Sequence, residues 1–210
     1  MQYKTTTRLF KGTYQYKVVL VCAGASVFRN GDIESAIQNL KRVVIDKKQA
    51  LYIPNTVRIK TQEDLDYALK LAHTLMYMED IEIRVESPWI SIYTNTLKNV
   101  NALTKLDEDH IKYVSVPPKD TTLVENTVIM PKMNYDYRVT LGKTSHENSA
   151  FVEWAESNPK LKLTKGCKTE LQRPKSWGGT HFYVLGDNNL LMAKMHLASS
   201  IAKIERIVKK

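Results

Sequence analysis

Residues 14–22 read Tyr14-Gln15-Tyr16-Lys17-Val18-Val19-Leu20-Val21-Cys22. An aromatic and β-branched run that turns wholly apolar from Val18 to Cys22 predicts a strand covered on both faces. Upstream, Tyr3 to Phe10 is a second β-rich run, half polar through Thr5, Thr6 and Thr7. Lys11-Gly12-Thr13 separates the two and predicts a hairpin whose first strand lies at a sheet edge. Downstream, Asp32 follows Asn30-Gly31 as a cap, and Ile33, Ile37, Leu40 and Val44 trace the apolar stripe of a helix. Leu51–Ile53 and Val57–Ile59 flank Pro54-Asn55 as a further expected hairpin. Thr61 and Asp64 have the spacing of a weak capping box before a helix striped by Leu65, Ala68, Leu69, Ala72, Leu75 and Met76. Ile81 to Val85 alternates as a strand. Residues 14–86 therefore read strand, helix, strand, strand, helix, strand.

The last third repeats that order. Tyr135 to Leu141 alternates as a strand, and Thr144 and Glu147 have capping spacing before Phe151, Trp154 and Ala155, with Pro159 as the stop. Leu161 to Leu171 and Thr180 to Leu185 are expected strands, joined by the loop Arg173-Pro174-Lys175-Ser176-Trp177-Gly178-Gly179. Asp187 is the expected cap of a helix carrying Leu191, Met195, Ala198 and Ile201, and Ile204 to Val208 either closes as a strand or extends that helix. Two βαββαβ units define an α+β fold with tandem ferredoxin-like units. Between them, Trp89–Tyr93 reads as a strand, Leu97, Val100, Leu103 and Leu106 as a short helix, and Ile111–Val116 as a strand. These form an extra strand–helix–strand on the first unit. Pro117-Pro118 opens a linker, so the expected division is 1–116, 117–133 and 134–210.

With 210 residues, 43% hydrophobic and 25% charged, the composition is that of an ordinary globular protein and excludes collagen-like and wholly disordered chains. No apolar run approaches the ~18 residues of a membrane helix, and the first residues lack the pattern of a secretory signal. Cys22 and Cys167 stand far apart without a partner motif, which suits a reducing, cytoplasmic setting. No P-loop, dinucleotide fingerprint, nucleophile elbow or zinc spacing occurs, so neither a cofactor nor a metal is expected.

The formal charge is +9, unevenly spread. Lys160, Lys162, Lys165, Lys168, Arg173 and Lys175 face the single acid Glu170 within one short stretch. A concentrated basic ridge attracts a polyanion because each neutralised phosphate releases counterions. Alternation in the flanking strands puts Phe182 and Val184 on one face and His181 and Tyr183 on the other, with Arg138 opposite Tyr137 and Val139. An uncovered sheet bearing Arg138, His181 and Tyr183, with Trp177 in the adjacent loop, offers unpaired bases a stacking platform. In the first unit Arg8, Lys17, Arg58, Lys60, Tyr14 and Tyr16 are further candidates, some of them on the covered face.

His73 and His196 fall within expected helices and read as satisfied structural residues; His110 adjoins the acidic run Asp107-Glu108-Asp109, which reads as a solvated loop. His181, beside Tyr183, has the company for metal-independent RNA cleavage as a general base. In topology alone the tandem arrangement resembles CRISPR repeat-processing ribonucleases, whose Gly-rich loop is not recognisable in Arg173 to Thr180. The expected function is a non-enzymatic nucleic-acid-binding protein preferring single-stranded RNA or DNA. It suits an accessory factor of replication, transcription or RNA processing, of the kind phages and plasmids encode. The alternatives are an assembly protein that docks a partner or a second copy through sheet edges near Tyr3 to Phe10, and the ribonuclease.

Overall fold

A computed structural model of the chain describes residues 2–43 and 59–209; the expected hairpin around Pro54-Asn55 lies outside the described residues apart from Ile59, which is buried. The fold is α+β, with two five-stranded sheets and six α-helices among the described residues. The chain divides into two compact units, Met1–Thr122 and Leu123–Lys210.

The first unit contains β1 (Tyr3–Thr5), β2 (Tyr16–Val21), α1 (Ile33–Lys41), α2 (Gln62–Met76), β3 (Ile81–Glu86), β4 (Trp89–Thr94), α3 (Leu97–Thr104) and β5 (Ile111–Val116). Its sheet order is β1-β5-β2-β4-β3. β2 pairs antiparallel with both β4 and β5, β3 pairs antiparallel with β4, and β1 runs parallel to β5. Val18, Leu20, Ile90, Ile92 and Val114 turn one face toward Ile37, Leu40, Leu71, Leu75 and Leu103 of the helices. Each large aliphatic side chain removed from water there contributes about 1.5–3 kcal/mol before entropy is counted. Asp32 caps α1 by accepting from the Ser35 N–H at 3.0 Å. Thr61 and Asp64 close a reciprocal box at the start of α2, as their spacing predicts.

Two expectations fail in this unit. Tyr3–Phe10 does not form a hairpin with β2; β1 sits at the far edge against β5, and a single bridge, Phe10 with Tyr14, marks the turn at Lys11-Gly12. Both edges of β2 are taken by the longer, apolar β4 and β5, which bury more surface than a threonine-rich segment offers. For the same reason the strand–helix–strand of 87–116 is no appendage: β4 and β5 flank the central strand, and the repeating frame spans 16–116 rather than 14–86.

The second unit contains β6 (Thr127–Ile129), β7 (Tyr137–Leu141), α4 (Ser149–Ser157), β8 (Leu161–Leu163), α5 (Lys165–Leu171), β9 (His181–Val184), α6 (Asp187–Leu197) and β10 (Ile201–Val208), with sheet order β6-β10-β7-β9-β8. β6 lies within the stretch expected to be a linker and pairs parallel with β10. The strand expected over Leu161–Leu171 ends at Leu163. Thr164 accepts from the Cys167 N–H and starts a helix instead, because Cys167 and Leu171, four apart, both reach the core. Thr144 caps nothing; it bridges to Ser176, and α4 begins from Asn148. Gly186 precedes α6, and Asp187 accepts from the Tyr137 hydroxyl. Ile201 to Val208 is a full strand. Phe151, Val139, Leu141, Phe182, Val184, Leu190 and Leu197 form the core under the helices.

Candidate nucleic-acid interface

Strand alternation in β4 sends Ile90 and Ile92 into the core, leaving Trp89, Ser91 and Tyr93 on the face away from the helices. Register then sets a row of Lys4, Ser115, Lys17, Tyr93 and Glu82 across this face, beside a row of Tyr113, Val19, Ser91 and Arg84. Each ring carries an ammonium. Lys4 Nζ is 3.9 Å from the Tyr113 centroid, Lys112 Nζ is 3.4 Å from that of Trp89, and Lys17 and Lys11 lie 5.5 and 4.9 Å from that of Tyr93. Lys11 also pairs with Glu82. Trp89 is 41% exposed, whereas Tyr93 is 5% exposed beneath Phe10 and Tyr14, whose centroids lie 5.8 and 6.1 Å away. Burial, with Glu82 and Asp80 nearby, pushes the Tyr14 hydroxyl above its ordinary pKa.

Of the first-unit candidates, Lys17 lies on this face and Tyr16 packs into the helix-side core. Arg8 and Lys60 are exposed, and Arg58 is outside the described residues. Trp89, Tyr93, Tyr113, Lys4 and Lys112 were not singled out from sequence. The signal was present in the alternation Trp89-Ile90-Ser91-Ile92-Tyr93, whose isoleucines name the buried side.

In the second unit Lys162, Tyr183, Arg138 and Glu205 align in one row of the face opposite the helices, with His181 and Lys203 in the next. This face is not an open platform. Met130, Met133 and Tyr135 pack with Val128 and Ile207 around Tyr183, which is 8% exposed. Glu205, fully buried, accepts from Arg138 at 3.1 Å and Lys203 at 2.9 Å. Arg138 also reaches His181 Nδ1 at 3.3 Å, and His181 Nε2 lies 3.1 Å from the Tyr183 hydroxyl. A guanidinium only donates, so Nδ1 accepts and Nε2 carries the hydrogen. Both imidazole nitrogens are thereby engaged within the fold.

The basic stretch is divided among elements. Lys162 lies on the face opposite the helices. Lys165 and Lys168 stand on α5, which packs its Cys167 and Leu171 into the core on the helix side. Lys168 pairs with Glu156 and Arg173 with Glu170 at 2.9 Å. Lys160 and Lys175 are exposed. Trp177 is 84% exposed with Lys143 Nζ 5.3 Å from its ring.

Of the other histidines, His196 stacks on Trp154 at 4.9 Å and His110 stacks on Tyr67 at 3.7 Å while contacting Asp107 at 2.9 Å, whereas His73, expected to be a satisfied structural residue, is exposed, as is His146. Cys22 and Cys167 are both free and buried, and burial pushes their thiols up to about 11 and about 12. Among the described residues no three His, Cys, Asp or Glu side chains gather as a metal site, and no helix is long and apolar enough to cross a membrane. Comparison with family models, with curated proteins and with solved structures finds no match to this chain.

Proposed function

We propose that this protein is a non-enzymatic binder of single-stranded nucleic acid, and that the helix-free face of its first unit is the principal contact surface. The reading rests on one observation: Trp89 and Tyr113 stand on that face with the ammonium groups of Lys112 and Lys4 over their rings, and Lys17 and Lys11 lie beside the covered ring of Tyr93. Rings on a sheet surface accept unpaired bases of any sequence, and the lysines neutralise the accompanying phosphates. A duplex hides the faces of its bases and gains only the charge. Lys162, Lys165, Lys175 and Trp177 of the second unit are a further contribution. Both units are read as ferredoxin-like: in each, the four strands after the edge strand lie in the order fourth, first, third, second. The two buried, high-pKa thiols fit a reducing cytoplasm.

The test is a titration of labelled oligothymidylate and oligouridylate at several salt concentrations. Lys17→Glu with Lys112→Glu is expected to weaken binding and lower the salt slope by about 0.7 for each lysine lost. Lys165→Glu with Lys168→Glu is expected to have the smaller effect, since Lys168 is already paired. Binding of duplex as tight as that of single strands would count against the proposal.

A second reading, assembly, has one observation in its favour: Leu191, Met192 and Met195 of α6 are exposed together. Sedimentation of the protein alone separates the two, because a stable oligomer with no oligonucleotide shift favours assembly.

A further inference from the structure

The sheet edge of the first unit farthest from β1 is β3, whose ladder partner is β4 on one side only. Among the described residues no backbone hydrogen bond is made along its other side. Beside this edge lies a cleft of about 590 Å³, with Met76, Met78, Ile81 and Ile83 as apolar lining and Asp32, Glu34 and Glu82 outnumbering Arg29 among its charged groups. The strand alternates: Ile81, Ile83 and Val85 pack against the helix-side core, and Glu82, Arg84 and Glu86 alternate with them; Ile81, Glu82 and Ile83 border the cleft. Glu79 and Asp80 stand immediately before it. In a chain with a formal charge of +9, this edge gathers acids.

We propose that the β3 edge and its cleft bind an extended basic peptide as an added strand. An added strand presents alternate side chains to the two sheet faces. Those on the helix side meet methionine and isoleucine with Asp32 and Glu34 alongside, and those on the other side meet Glu82 and Glu86, for which an incoming lysine or arginine competes with Lys11 and Arg84. The matching ligand therefore alternates apolar residues with lysine or arginine, joined to β3 by backbone hydrogen bonds. The rest of this basic protein repels such a peptide, so its binding would localise to the acidic edge. The site does not depend on the nucleic-acid reading.

The probe is a fluorescein-labelled nine-residue peptide of alternating lysine and valine, with its glutamate–valine counterpart as control, added to the full chain. The expected result is saturable binding of the basic peptide alone, with slowed amide exchange confined to residues 81–86. Glu34→Lys combined with Met76→Arg, both exposed positions, is expected to weaken that binding at least tenfold with no loss of oligonucleotide affinity. Equal binding of the acidic peptide, no binding, or protection elsewhere overturns the proposal. A dimer of the protein alone that protects the same amides also overturns it, assigning the edge to a second copy.

Discussion

At the scale of single residues, the buried charge of Glu205 is the most demanding feature. It has no solvent exposure and depends on Arg138 and Lys203 for compensation. Arg138→Leu removes one of the cations that compensate this buried carboxylate, and a loss of about 3 kcal/mol in chemical denaturation is expected. Arg138→Lys should recover part of it. This side chain was read from sequence as a base-stacking candidate, and strand alternation did place it on the correct face. Its role there is fixed by a partner sixty-seven positions away, which periodicity does not reveal. Tyr183 shows the same limit, since two of the side chains that cover it, Met130 and Met133, lie in what reads as a linker. Trp89 is the contrary case. Its ring is accessible and its neighbours Ile90 and Ile92 declare its orientation. Trp89→Ala is expected to reduce single-strand affinity by about 1–3 kcal/mol, roughly 5-fold to 150-fold, in fluorescence anisotropy with the fold intact.

At the scale of elements, local chemistry was legible at α1 and α2, where cap and stripe agree, and not at α4 and α6, whose expected caps Thr144 and Asp187 are replaced by Asn148 and Gly186. The Thr61–Asp64 box starts α2, and Thr61→Ala should lower stability by about 1 kcal/mol in thermal unfolding. Asp32 gives a pH signature. The Ser35 hydroxyl, then the Ser35 backbone N–H, holds its carboxyl below the ordinary carboxylate value. Its folded pKa is thus below its unfolded one, so its contribution is present above the unfolded value and lost as pH falls through the folded value. Amide exchange in α1 should accelerate over that acidic window, and Asp32→Asn should flatten the response. Elements were misread where two patterns share the same residues. Leu161-Lys162-Leu163 alternates as a strand, but Thr164, Cys167 and Leu171 at helical spacing take over at once. The loop after α5 turns on Gly178, at φ +74°, where an added Cβ would lie 2.4 Å from the Gly142 carbonyl carbon. Gly178→Ala is expected to destabilise the second unit by about 1–3 kcal/mol, read by thermal unfolding.

At the scale of the whole molecule, the sequence announces a repeated order of elements but not its frame. Each unit begins with a short strand that runs parallel to its last strand at a sheet edge, and the same strand order follows. Short edge strands bury little and leave only a weak pattern, so Tyr3–Thr5 was joined to the wrong neighbour and Thr127–Ile129 to a linker. Clustering of charge in the sequence locates an expected polyanion-binding ridge at Lys160 to Lys175. The structure divides those cations among a strand, a helix and a loop, and Lys168 and Arg173 are paired with Glu156 and Glu170. The lysines that sit over aromatic rings come instead from positions 4, 11, 17 and 112, brought together only by strand pairing. The most direct measurement is the quenching of tryptophan fluorescence by oligothymidylate in a Trp154→Phe, Trp177→Phe background that retains Trp89. Saturable quenching, diminished by Tyr113→Ala and by Lys112→Glu and weak with duplex DNA of the same length, is the predicted result. An unquenched Trp89 while the oligonucleotide still binds would contradict the assignment of this face.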